Sequence, residues 1–265
     1  MKQSIYSIVF FLFIQLYVKT DCQAQSLAPH VIASAGAYIS NSAGSLSFTV
    51  GETITQTLNS TTHKLTQGFQ QPFEINLLNV KAYLQGYYVG SGQMADVLLN
   101  QGVYANPSFD ADTLQVQLRE PNAPYNLVFH KNVILKQDGS LSVSGMGIIG
   151  QSYYLVIKHR NHIASWSTHP ILINTLTQYD FSIAANRVYG DNQHEVESGI
   201  FAFYTGDINQ DGIIDGLDYN EWENDSNNFA GGYFSTDLNG DGIVDGLDFI
   251  YWEQNNNNFI GAVGP

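Results

Sequence analysis

Two stretches, "DINQDGIIDGLD" from Asp207 to Asp218 and "DLNGDGIVDGLD" from Asp237 to Asp248, write one twelve-residue pattern twice. Positions 1, 3, 5, 9 and 12 carry oxygen donors. These are Asp207, Asn209, Asp211, Asp215 and Asp218 in the first loop, and Asp237, Asn239, Asp241, Asp245 and Asp248 in the second. Position 6 is glycine in both, Gly212 and Gly242, where the chain must turn sharply. Position 7, Ile213 or Ile243, needs only its backbone carbonyl. Four carboxylates within a few Å would repel one another and oppose folding, and a divalent cation reverses the sign of that interaction. All donors are oxygens, which excludes the soft-ligand metals, and the loop format suits Ca²⁺ better than the tighter octahedron of Mg²⁺. The expectation is two calcium sites.

The flanks repeat at the same offset: Leu217 with Leu247, Trp222 with Trp252, Glu223 with Glu253, Phe229 with Phe259. "DYNEWEN" and "DFIYWEQ" predict short helices opened by an aspartate, which favours a helix N-terminus. "FAFYTG" and "GGYFST" before the loops read as strand or turn. Each unit is therefore a loop followed by a helix. Ile214 and Val244 are apolar and are expected to pack the two loops against each other.

On these residues, from about Thr205 to Phe259, the segment resembles a dockerin, the calcium-dependent docking module of secreted polysaccharide-degrading assemblies. The resemblance implies the ten side-chain ligands named above. Classical dockerins often carry hydroxyl residues at loop positions 10 and 11, where this chain has Gly216-Leu217 and Gly246-Leu247. The partner is accordingly left open between a cohesin-like or other surface protein and the chain's own β-sandwich.

The charge balance agrees with a cation-binding C-terminal region. The net charge is −14, and from Gly206 onward there are a dozen acidic residues and no Lys, Arg or His. No basic face exists for a phosphate backbone, so nucleic acid is not an expected partner. At the other end, "MKQSIYSIVFFLFIQLYV" followed by "CQAQ" reads as a signal peptide over 1–24, and hence as a secreted protein with no stable membrane span once processed. Cys22 is the sole cysteine, so no disulfide is expected to staple the mature chain.

Between these ends the text is strand-like. In 25–72, Leu46, Phe48 and Val50 alternate with polar residues, Gly51-Glu52 interrupts, and Ile54 and Leu58 resume, predicting short antiparallel strands. In 73–204, Leu78, Val80, Ala82 and Leu84 alternate, as do Leu114, Val116 and Leu118, then Tyr125, Leu127 and Phe129. "KQDGS" predicts a hairpin turn before Leu141 and Val143, and Tyr153, Leu155, Ile157 and His159 share one face of a further strand. The expected fold is mainly β: an N-terminal strand segment and an immunoglobulin-like β-sandwich, then a small α-helical calcium module over 205–265. The 30–72 segment, and "LNVKAYLQGYY" with "YYLVIKHRNHIASWS", resemble modules of secreted proteins from gliding, polysaccharide-degrading Gram-negative bacteria. That setting implies polysaccharide as a second class of partner, which abundant tyrosines could serve by stacking on sugar rings.

No catalytic constellation is read from the chain: G-x-S-x-G, H-E-x-x-H and G-x-x-x-x-G-K-[ST] are all missing from the sequence. His159 and His162, three apart in an extended strand, point to opposite faces and are expected to make ordinary hydrogen bonds. Asp110 and Asp112 read as a polar loop ahead of a strand. The functional expectation is a secreted, non-catalytic calcium-binding adaptor, with a carbohydrate-binding accessory as alternative and glycoside hydrolysis implied only by association.

Overall fold

The computed structural model describes residues 75–104 and 109–265, together with the backbone of 35–41, 44–50, 58–59 and 64–65. The expected signal peptide, Cys22 and Ile54 lie outside the described residues. The chain divides into two compact units, 1–72 and 73–265. In the first, β1 (Ala35–Asn41) pairs antiparallel with β2 (Gly44–Val50), and β3 (Leu58–Asn59) with β4 (Lys64–Leu65).

The second unit continues with β5 (Leu77–Lys81), β6 (Tyr88–Gly90), β7 (Gln93–Met94), a one-turn helix α1 (Val97–Asn100), β8 (Asp110–Arg119) and β9 (Leu127–Lys136). Then follow β10 (Ser140–Ser144), β11 (Ser152–His159), β12 (His162–Trp166), β13 (Ile171–Leu172), β14 (Leu176–Asp180), β15 (His194–Glu197) and β16 (Ile200–Ala202). One sheet runs β10-β5-β14, with β14 parallel to β5; the other runs β12-β11-β8-β9, with β13 on β11. The alternation in β8 shows why the sheets face each other. Leu114, Val116 and Leu118 are fully buried, while Thr113 and Gln115, on the other face, are half-buried. They meet Leu78 and Val80 of β5, Leu141 and Val143 of β10, and Leu155 and Ile157 of β11 in one core. Burial of each such aliphatic side chain contributes about 1.5–3 kcal/mol. The result is mainly β, in sandwich form, with only short helices.

Two strand readings are corrected. "KQDGS" does turn, with Gly139 at φ 81 and its N–H donating to the Lys136 carbonyl, but β10 then leaves β9 and pairs with β5. Turn chemistry specifies a reversal and says nothing about which sheet receives the next strand. Leu127 and Phe129 stand 45% and 36% exposed on the edge strand β9, and Tyr125 precedes it at φ 55. An edge strand has no facing sheet over its outer end, so its alternation does not mark core.

After β16 come the two loop–helix repeats, with helices α2 (Gly216–Asn227) and α3 (Gly246–Asn257). Both open two residues before the expected Asp218 and Asp248. Asp215 and Asp245 are the N-caps, and each closes a capping box with the Asp218 or Asp248 side chain. The repeats interlock crosswise. Ile213 of the first loop pairs with Gly261 beyond α3, and Ile243 of the second pairs with Gly231 beyond α2. The Trp222 indole donates to the Asp245 carbonyl (3.1 Å) and the Trp252 indole to the Asp215 carbonyl (2.9 Å). Ile214 and Val244 are both buried, but Ile214 joins Ile208, Leu238, Trp252 and Ile163 of β12 in a cluster that does not include Val244.

The tail is thus docked on the sandwich. Asn255 of α3 donates to Gln85 Oε1 (2.7 Å), and the Gly206 N–H donates to the Asn161 carbonyl (2.8 Å). A Cβ added at Gly86 would stand 1.9 Å from the Leu238 carbonyl oxygen. Gly86→Ala is therefore expected to push the second repeat off the sandwich and to destabilise the protein by about 3 kcal/mol, the upper end for overpacking. Urea unfolding of the full chain measures it, and an unchanged midpoint would show that the two parts do not pack as described.

Candidate metal loops and the buried junction beside them

Each loop is organised by its own carboxylates. In the first, Asp218 Oδ1 accepts from the N–H groups of Ile208 (2.7 Å) and Asn209 (3.0 Å), and Asp218 Oδ2 accepts from Asp215 N–H (2.9 Å). Asn209 Oδ1 accepts from Asp211 N–H, and Asp211 Oδ1 from Ile213 N–H. The second loop repeats this set on Asp248, Asn239, Asp241 and Asp245. Gly212 and Gly242 have φ 92 and 90, a region open to glycine at no Cβ cost. Among the described residues, no three His, Cys, Asp or Glu side chains are gathered in a metal-holding arrangement; in the first loop the oxygens of Asp218 and Asp211 Oδ1 are turned to loop amides.

The donor set nonetheless fits a hard cation. Asp207, Asp218, Asp237 and Asp248 are almost completely buried, and no basic side chain follows Gly206 to neutralise them. Burial, followed by neighbouring carboxylates, pushes Asp207 up to about 6 and Asp248 up to about 7; burial raises Asp218 and Asp237 as well. Asp207 Oδ1 is a buried carboxylate oxygen with no hydrogen-bond partner. An orphaned buried acceptor of this kind is costly unless a cation or proton meets it. Asp207, Asn209, Asp211, Asp215, Asp218 and the Ile213 carbonyl are the groups that would hold a cation in the first loop. Asp237, Asn239, Asp241, Asp245, Asp248 and the Ile243 carbonyl are their counterparts in the second.

The two loops differ in their surroundings. The second lies against α1. Gln101 Nε2 donates to Asp237 Oδ2 (2.6 Å), Asn100 Nδ2 to the Gly240 carbonyl (3.1 Å), and Asn161 Nδ2 to the Asp237 carbonyl (3.0 Å). Both oxygens of Asp237 are engaged, Oδ1 by Gly240 N–H and Oδ2 by Gly242 N–H and Gln101.

Beside this contact is a buried polar network that the sequence reading did not foresee. Asp112 is not in a loop: it lies within β8 and is fully buried. It accepts from Thr113 N–H, His159 Nε2 (3.1 Å), Arg160 Nε (3.1 Å) and Tyr233 OH (2.8 Å). The expected separation of His159 and His162 fails as well. The chain reverses at Arg160-Asn161, pairing the two histidines across a hairpin with Nδ1 atoms 2.9 Å apart. Their sequence offset placed them on opposite faces only if one strand ran through both. Since Asn161 Oδ1 can only accept, His162 Nδ1 donates to it (2.7 Å) and to His159 Nδ1, leaving His159 Nε2–H to donate to Asp112.

Burial raises the Asp112 carboxyl, but His159 and Arg160 outweigh that and hold it below the usual range. Arg160 is the standing countercharge, because burial lowers His159, and burial together with the neighbouring His159 and Arg160 lowers His162 further. Arg160 also reaches the tail, donating to the Phe234 carbonyl, and its Nη2 donates to Tyr87 OH (2.6 Å) and Gln101 Oε1 (2.7 Å).

No protein-family model and no curated protein matches the chain. Among solved structures, a chain of a type II cohesin–X–dockerin complex from Acetivibrio cellulolyticus, a C-terminal interface mutant, aligns with a TM-score of 0.42 and 13% identity. It covers 71% of this chain and 97% of that one. The N-terminal interface mutant of that complex gives 0.42 and 11% over the same shares. At this similarity the alignments describe a likeness and decide nothing about the sites.

The histidine pair makes a pH prediction. A histidine whose folded pKa lies below its unfolded value of about 6.5 contributes its full stability above that value, and loses it as the pH falls toward the folded pKa. Thermal melting of the protein should therefore drop more steeply between pH 6.5 and 5 than that of a His162→Gln variant. Identical slopes would show that His162 is not held neutral.

Proposed function

We infer that the protein is a non-catalytic calcium-folded interaction protein: the two loops each take one Ca²⁺, and the docked tail presents a duplicated apolar surface to a protein partner. The observation that carries the calcium reading is the orphaned, buried Asp207 Oδ1 inside an all-oxygen loop that recurs in register thirty residues on. Bound Ca²⁺ would supply the missing positive charge, and its binding energy would add to folding energy.

The partner surface is supported by residues that folding does not explain. Phe229 and Phe259, at the same place after α2 and α3, are each 93% exposed and hold φ 53 and 55. A helix end in this left-handed conformation ordinarily takes glycine, since a Cβ there costs about 1–2 kcal/mol. Two bulky aromatics kept at strained, solvated positions are neither core nor turn chemistry. Leu217 and Leu247, 57% and 54% exposed, extend the duplicated apolar character. Because the surroundings carry no basic residue, the partner's complementary face is apolar with basic groups at its rim. Cohesin-type proteins, the partners in the complexes named above, are one class that this reading puts forward for test.

Isothermal titration of chelator-stripped protein should find about two calcium ions per chain and a raised melting temperature on saturation. No calcium heat together with unchanged melting would sink the calcium reading. For the surface, Phe229→Gly and Phe259→Gly should each raise stability by about 1 kcal/mol in urea unfolding while leaving calcium stoichiometry intact. A loss of stability would make the two phenylalanines structural and remove the argument for a partner.

A further inference from the structure

The two loops share one pattern, but only one of them has its first ligand held from outside the repeat. Asp207, at position 1 of the first loop, has the backbone amides of Gln210 and Gly212 beside it, and its Oδ1 has no hydrogen-bond partner. Asp237, at position 1 of the second, receives in addition the Gln101 amide from the residue that ends α1 of the sandwich. Gln101 is 3% exposed, and both ends of its amide are used: Oε1 accepts from Arg160 Nη2, and Nε2 donates to Asp237 Oδ2. Its orientation is therefore set by a guanidinium on one side and a carboxylate on the other. The backbone of the second loop is fixed from the same side. Asn100 Nδ2 holds the Gly240 carbonyl, and Gly242 lies so close that a Cβ there would be 2.3 Å from the Asn100 carbonyl oxygen.

We propose that Gln101 is a positioning residue for the second calcium loop, so that the position-1 carboxylate of this loop is pre-ordered by the sandwich, whereas the first loop touches the sandwich through Gln210 and Ile208 but receives no sandwich side chain on its own position-1 carboxylate. The inference rests on the calcium reading above. Its physical basis is preorganisation. The carboxylate that must face the ion is ordered before the ion arrives, so less conformational freedom is lost on binding. Three of the roughly four lone-pair directions of Asp237 are taken by donors, which leaves one for an ion. Linkage then runs both ways: whatever strengthens the contact of α1 with the second loop strengthens cation binding there, and binding there strengthens docking of the tail.

The test is a calcium titration of the full chain followed by NMR, with the Gly212 and Gly242 amides reporting the first and second loops separately. In the wild-type chain the second loop should fill first. Gln101→Ala should weaken the second loop about tenfold and leave the first unchanged, consistent with loss of one hydrogen bond to a charged group. Asn100→Ala, on a more exposed side chain, should give a smaller loss confined to the same loop, and it serves should Gln101→Ala fold poorly. Equal weakening of both loops, or of neither, by these variants overturns the proposal while leaving calcium binding intact. If the wild-type chain takes up no calcium, the calcium reading fails first and this inference falls with it.

Discussion

A fully buried carboxylate cannot remain in an apolar interior without a countercharge, and Asp112 meets this requirement by drawing Arg160 to it. Arg160 sits in the turn between β11 and β12, so the pairing fixes that turn, and the turn is what the tail docks on. Its neighbour Asn161 holds the Ser235 and Asp237 carbonyls, and Arg160 itself holds the Phe234 carbonyl. Tyr233 closes the arrangement from the tail side, its hydroxyl on Asp112 and its ring 4.2 Å from the guanidinium. One ion pair thus sets the strand pairing of the sandwich edge, the path of the segment joining the repeats, and the seat of the second loop.

What could be read from the sequence was what depends on near neighbours. The left-handed loop glycines, the helices after the loops and the inward alternation of β5 all arise from spacings of two to twelve residues and are found close to where they are expected, the helices opening two residues earlier. The misses share the opposite character. The Arg160-Asn161 turn contains no glycine or proline and adopts no positive φ, so Asn161 is its one local mark, and the two histidines touch in space across it. Asp112 looked like a solvated loop residue because its partners lie 47, 48 and 121 positions away. Gln101 was invisible for the same reason, at 136 residues from Asp237.

The duplicated flanks show a subtler limit. Phe229 and Phe259 were recognised as equivalent, and an aromatic residue at a conserved offset within a repeat ordinarily reads as core. Their burial is the reverse of that reading, whereas Trp222 and Trp252, seven residues earlier, do enter the centre of the module. Period alone ties a residue to its twin; only the helix phase and the left-handed backbone after the last turn decide which way both point.

The crossed pairing of the repeats also gives the chain a mechanical character. The stretch after α3 is not a loose end: Gly261 is bridged to Ile213, Asn192 holds the Gly261 carbonyl, and Val263 and Gly264 lie against Gly190 and Trp166. Tension applied at the C-terminus would therefore reach the first loop and the sandwich edge before it reached α3. Both ends of the tail are moored to the same body, so a load would have to shear several anchorages together where a simply tethered module would peel from one end.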